Sequence, residues 1–256
     1  MAYSDRYYTR SFLPSGAFPP AVRWLLISNV GIWLLYFLTL ISGASSAAKW
    51  FQSLWLVPQD VVERFQLWQL FTYLFLHDPR GFGHILFNML TLWMFGADLE
   101  RGWGARRFLK YYFLCGIGAG ICVVIVNYTP FGDPATRTIG ASGAIYGLLM
   151  AFGMLYPDTT VLFSFLFPMK AKYFVMIIGA IAFLSSLGAN TGVSNVAHLG
   201  GMLFGYVYLK SQQRRVSQPR FNPVAALRRE YQNWRVQRAK KKFEVYLRKH
   251  GGPWVN

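Results

Sequence analysis

The chain has 256 residues, 54% of them hydrophobic and 18% aromatic, with a formal net charge of +16. That apolar share is too high for an ordinary soluble domain and points to a polytopic membrane protein. Spread over a soluble fold, the charge would suggest a nucleic-acid binder, but 13 of the 26 Lys and Arg residues lie from Lys210 onward. No nucleic-acid partner is expected.

Residues 1–23 are polar and form an N-terminal segment. The first apolar run, Trp24 to Gly43, is long enough to cross a bilayer. Small residues follow it, as at a signal-peptidase site, but the run is long for a signal sequence and further spans follow, so it reads as an uncleaved first span. Residues 48–80 interleave Trp50, Phe51, Trp55, Trp68, Phe71 and Tyr73 with Gln52, Asp60, Glu63 and Arg64. Such a stretch is too interrupted to span and reads as a structured loop in the membrane interface.

Five more spans follow, at about Gly83–Asp98, Phe108–Asn127, Ser142–Tyr156, Tyr173–Leu187 and Asn195–Leu209. Val161–Met169 is apolar but short and contains Pro168, so it is expected to be an interfacial connector. Cys115 and Cys122 share one run seven positions apart, a spacing that a disulfide within a straight helix cannot close. They are read as packing residues.

Six spans put both termini on one side of the membrane. That side collects 22 of the basic residues and the other side four, Lys49, Arg64, Arg80 and Arg137. Basic residues favour the cytoplasm, so both ends are expected there. Spans two, four and six then enter from the outer side, and each carries a polar residue in its first turn or so: His84, Ser142 and His198. Ionisable groups inside a span are costly and usually functional.

Ser142 lies in Gly140-Ala141-Ser142-Gly143-Ala144-Ile145-Tyr146-Gly147. By itself this run is either a close-packing device or the seat of a nucleophile. A serine hydroxyl needs a neighbouring base to take its proton, and histidine suits that role. Gly143, Gly147 and Ala151 recur every four residues on span four, as Ala197, Gly201 and Gly205 do on span six, so these ridges could let the two helices approach. Tyr146 shares a face with Ser142 and could stack on His198, or could be an ordinary packing tyrosine. His84 and Asn88 share a face of span two and could donate to an oxyanion, with the Ser142 amide as a third donor. Spans four and six contain no acidic residue, so the pattern supports a Ser-His dyad rather than a triad. His77, His84 and His198 lack carboxylate or thiol companions at metal-ligand spacing, and neither metal nor cofactor is expected.

Several motifs occur together. They are His84-Ile85-Leu86-Phe87-Asn88, Leu99-Glu100 with Trp103-Gly104, Gly140-Ala141-Ser142-Gly143 with Tyr146, and Ala197-His198 with Gly201 and Gly205. In this order and spacing they resemble the rhomboid family of intramembrane serine proteases over about residues 20–211. The resemblance implies a compact all-α bundle of six transmembrane helices with a water-filled cavity open to the outer side. It implies Ser142 as nucleophile, His198 as general base, His84, Asn88 and the Ser142 amide as the oxyanion hole, and Tyr146 stacked on His198. Residues 44–82 would be the membrane-embedded first loop, and span five with residues 188–194 the mobile gate and cap. Substrates would be other transmembrane proteins. The family's first loop often carries a Trp-Arg pair where this chain has Trp68-Gln69, a departure that bears on a contact of the loop and leaves the chemical residues untouched.

The expected organisation is an N-terminal cytoplasmic segment (1–23), a six-span domain (24–211) and a basic cytoplasmic tail (212–256), in a bacterial inner membrane. In the tail, Leu227, Tyr231 and Trp234, then Phe243, Tyr246 and Leu247, fall at helical spacings among Arg and Lys. This suggests a basic amphipathic helix on anionic lipid, with recruitment of a cytoplasmic partner as the alternative. For the whole chain, the rival readings are a catalytically silent rhomboid-fold protein that binds membrane clients, and a channel or transporter. The missing intramembrane carboxylate pairs and matching broken helices weigh against the last.

Overall fold

The computed structural model describes residues 18–130, 132–163, 167–186, 192–217 and 223–250. The chain divides into two compact units, Met1–Lys210 and Ser211–Asn256. The first is mostly helical. It opens with α1 (Pro20–Ile41), then three short helices, α2 (Ser45–Gln52), α3 (Pro58–Glu63) and α4 (Gln69–Thr72), and a 3-10 turn at Tyr73–Phe75. Next, α5 (Phe82–Thr91) runs through a π turn at Leu92–Gly96 into α6 (Ala97–Trp103). After these come α7 (Ala105–Asn127), α8 (Ser142–Leu155), β1 (Thr160–Phe163), β2 (Phe167–Lys170), α9 (Ala171–Ser186) and α10 (Gly192–Ser217).

Two of these helices, α1 and α7, are long and apolar enough to cross a membrane by length and composition, whereas α8 and α9 are shorter apolar helices. Apolar side chains on α1 (Ile27, Leu35, Ile41) and α9 (Met176, Phe183, Leu184) face outward. A water-soluble surface rarely carries such faces, and hydrocarbon accepts them.

The helix boundaries have local causes. Helix α1 begins at Pro20, earlier than the apolar run suggests, because proline suits the first helical turn and a distant carboxylate caps it. The Ala21 and Val22 amides donate to the two oxygens of buried Glu100 at 2.9 and 2.7 Å. The α6–α7 break falls at Gly104, whose φ of +79° suits glycine. Helix α10 starts three residues before the expected Asn195 and runs on to Ser217. Residues 188–191 of the expected cap lie outside the described residues.

The connector between α8 and α9 departs from the all-α expectation. Strands β1 and β2 pair antiparallel from Thr160↔Lys170 to Phe163↔Phe167. β-branched and aromatic residues favour this pairing, and Pro168 is tolerated because a two-stranded hairpin consists only of edges. Asp158 receives Lys170 and Lys172 at 3.2 and 3.0 Å near the hairpin base.

The first loop is anchored at the position where it departs from the family pattern. Gln69 is fully buried. Its Oε1 accepts from the Val57 amide at 2.9 Å, and its Nε2 donates to Gln66 Oε1 at 2.9 Å and to the Ser53 carbonyl at 3.3 Å. The amide thus satisfies two backbone groups before α3 and the Gln66 side chain after it, without an arginine. The second unit begins within α10, at Ser211, and its described residues also include α11 (Pro223–His250).

Candidate active site

Ser142 is the first residue of α8. The chain reaches it through Gly140, whose φ is +121°. The Gly140 amide donates to the Tyr73 carbonyl at 3.0 Å, which ties this turn to the first loop. A Cβ on Gly140 would lie 2.9 Å from His84 Nε2 and 3.8 Å from Asn88 Nδ2. Both polar groups of α5 therefore converge on the turn two residues before Ser142, and the absent side chain makes room for them.

His198 lies on α10. Its Nε2 is 2.9 Å from Ser142 Oγ, across 56 positions of sequence. The Tyr146 ring, one turn beyond Ser142, stacks on the His198 ring with centroids 3.9 Å apart and planes inclined by 2°. His198 Nδ1 is buried and has no hydrogen-bond partner. In this arrangement an imidazole nitrogen can accept the serine proton while a parallel ring restricts the tilt of the imidazole.

The small residues that permit this approach serve three helices. Gly143 and Gly201 meet directly, since a Cβ on Gly201 would fall on the Gly143 carbonyl. A Cβ on Gly147 would lie 3.2 Å from the Gly201 carbonyl and 2.5 Å from Cys115 on α7, and one on Gly143 would lie 2.6 Å from Ala119 Cβ. Gly205 differs from the expected pairing, because the space beside it is filled by Tyr111 of α7. Tyr111 in turn donates to the Gly147 carbonyl at 2.7 Å. Helix α7 is thus the common wall against which α8 and α10 are set. Cys115 and Cys122, both free, pack against Gly147 and Gly200 respectively.

Two neighbours of the site went unassigned in the sequence. Tyr73 donates its hydroxyl to the Gly116 carbonyl at 2.6 Å, besides accepting from Gly140. His77 is fully buried, neither of its ring nitrogens has a partner, and its ring centroid is 5.1 Å from that of His84. The only available signal for His77 was a second histidine close before the His84 motif. Nothing marked Tyr73 apart from its loop aromatics. Among the described residues no group of three His, Cys, Asp or Glu side chains is placed to hold a metal ion.

A serine and a histidine from two helices, in contact inside an apolar bundle, define a class of site: a half-buried hydroxyl beside a base at the head of a helix. Comparison with known proteins gives the family. Residues 64–212 match the family described as Rhomboid domain. The chain is 30% identical over 179 residues to the Rhomboid protease GluP of Bacillus subtilis, covering 68% of this chain and 31% of that protein. It is 33% identical over 168 residues to RHOMBOID-like protein 1 of Arabidopsis thaliana, covering 64% of this chain and 40% of that one. Against the Putative rhomboid protease YdcA of Bacillus subtilis it is 31% identical over 212 residues, covering 77% of this chain and 92% of that protein. The chain therefore spans less than half the length of the first two relatives and nearly all of the third. It belongs to the rhomboid family and is an integral membrane protein.

Proposed function

We propose that this protein is an intramembrane serine endopeptidase that cuts other transmembrane proteins near the outer side of the bilayer. The observation that carries the reading is the 2.9 Å contact between Ser142 Oγ and His198 Nε2. Two relatives are named as rhomboid proteases, one of them as putative. Ser142 is the nucleophile and His198 the general base. As Oγ bonds to the scissile carbonyl carbon, its proton moves to Nε2 and the carbonyl oxygen becomes an oxyanion. His84, Asn88 and the Ser142 amide donate to that oxygen. The tetrahedral species collapses as the imidazolium gives its proton to the departing amine. Water, deprotonated by the same histidine, then releases the acyl group. Tyr146 keeps the imidazole in plane throughout.

In the same reading, six helical segments cross the membrane: α1, α5 through α6, α7, α8, α9 and α10. Both termini are cytoplasmic, and the home membrane is a bacterial inner membrane. The test is cleavage of a model transmembrane substrate in detergent by the wild type and by Ser142→Ala. Cleavage by the wild type alone supports the assignment. Equal cleavage by both overturns Ser142 as nucleophile. A folded wild type that neither cleaves nor reacts with a fluorophosphonate would be a silent family member that binds membrane clients.

A further inference from the structure

The helix α11, Pro223–His250, lies outside the family match, which ends at residue 212. It carries nine Lys and Arg residues against two Glu. Its charges are ordered. Arg228, Arg235, Lys242 and Lys249 recur every seven residues and are all exposed. A seven-residue step returns to nearly the same face, drifting by ~20° each time, so the four form one stripe about 30 Å long. Glu230 and Glu244 each follow a stripe residue by two positions, and at ~100° per residue they stand on the far side. Tyr231 and Tyr246 lie three or four positions from stripe residues and share their face. Both are exposed, as are Trp234 and Phe243 on the flanks of that face. Arg238 sits over the Trp234 ring at 5.1 Å.

We propose that this face of α11 docks on an anionic bilayer surface, with the stripe on lipid phosphates and the tyrosines at headgroup level. Three observations select that occupant. The cationic stripe is long and has no acid on its face, which complements an extended anionic plane. Tyrosine and tryptophan favour the membrane–water interface. The chain belongs to an integral membrane family, and only five residues, 218–222, separate α11 from α10, so connectivity alone keeps the helix beside lipid. The apolar side chains do not form a single seam along the helix. Trp234 and Phe243 are nine positions apart and therefore point ~180° away from each other. Charge and aromatic anchoring, rather than a deeply buried apolar face, hold the helix to the surface. The proposal rests on membrane embedding and is independent of catalysis.

The test uses the full chain in nanodiscs of phosphatidylcholine, with and without one-third phosphatidylglycerol, and reads amide hydrogen exchange over 223–250. With the anionic lipid, exchange should slow by about tenfold or more. The double variant Arg235→Gln/Lys242→Gln should lose most of that slowing. Lys240→Gln/Lys241→Gln removes the same charge off the stripe and should keep it. Glutamine is a good helix former, so both variants retain the helix. Exchange indifferent to phosphatidylglycerol, or lost equally in both double variants, overturns the proposal.

Discussion

The carbonyl oxygen of Gly143 occupies the space that a Cβ on Gly201 would need. Helices α8 and α10 touch backbone to backbone there, one residue after Ser142 and three after His198. A methyl group at this point meets a carbonyl that cannot swing aside. Gly201→Ala is therefore expected to destabilise the protein by about 1–3 kcal/mol or more and to abolish fluorophosphonate labelling. The control is Gly31→Ala on α1, where a Cβ meets nothing within 4 Å. Thermal unfolding in detergent compares the two.

Gly140→Ala should act on chemistry more than on packing. An L side chain at φ +121° is strained by about 1–3 kcal/mol, and its Cβ presses on His84. Cleavage should fall with little change in substrate affinity. Single-turnover kinetics beside an unfolding curve check this, and a variant with unchanged turnover would remove His84 from the oxyanion assignment.

Asn88 offers a cleaner test of the same site. Its Nδ2 is buried and has no partner, so Asn88→Ala breaks no hydrogen bond of the resting molecule through that nitrogen. If the group is used only when charge develops on the substrate, kcat should fall about 10- to 1000-fold while KM and stability hold. Loss of stability with unchanged kcat would assign Asn88 to packing.

The stack of Tyr146 on His198 predicts a graded series. Tyr146→Phe keeps the ring and should label with fluorophosphonate at close to the wild-type rate. Tyr146→Ala removes an aromatic contact of about 0.5–1.5 kcal/mol and should slow labelling about 2- to 10-fold. His198→Ala should abolish it.

Glu100 supports the scaffold from its cytoplasmic side in the proposed topology. Glu100→Gln keeps the shape but replaces two charge-assisted hydrogen bonds to the start of α1. A loss of about 1–2 kcal/mol in thermal unfolding is expected, with the Ser142–His198 pair unaffected.

Much of this arrangement was legible in the residues, because helix period and bilayer thickness turn apolar runs into helices with few alternatives. The motif around Ser142, the paired His84 and Asn88, and the ridges of small residues could each be read one helix at a time. The hairpin after α8 could not, since a largely apolar stretch of nine residues with a proline suits several local structures and only cross-strand pairing selects one. The reach of Gln69 was also invisible. A side-chain amide that satisfies Val57, Gln66 and the Ser53 carbonyl depends on how the first loop closes on itself.

By itself, then, the sequence determined the helical membrane class, through composition and period, while its motifs carried the resemblance to the family and the candidate site residues. Only the tertiary structure decided the distances between them. It set Gly205 against Tyr111 instead of α8, made α7 the shared wall, and brought Nε2 of His198 to 2.9 Å from Ser142 Oγ. Contacts between helices depend on the fit of side-chain volumes from several segments at once, and no single segment encodes that fit.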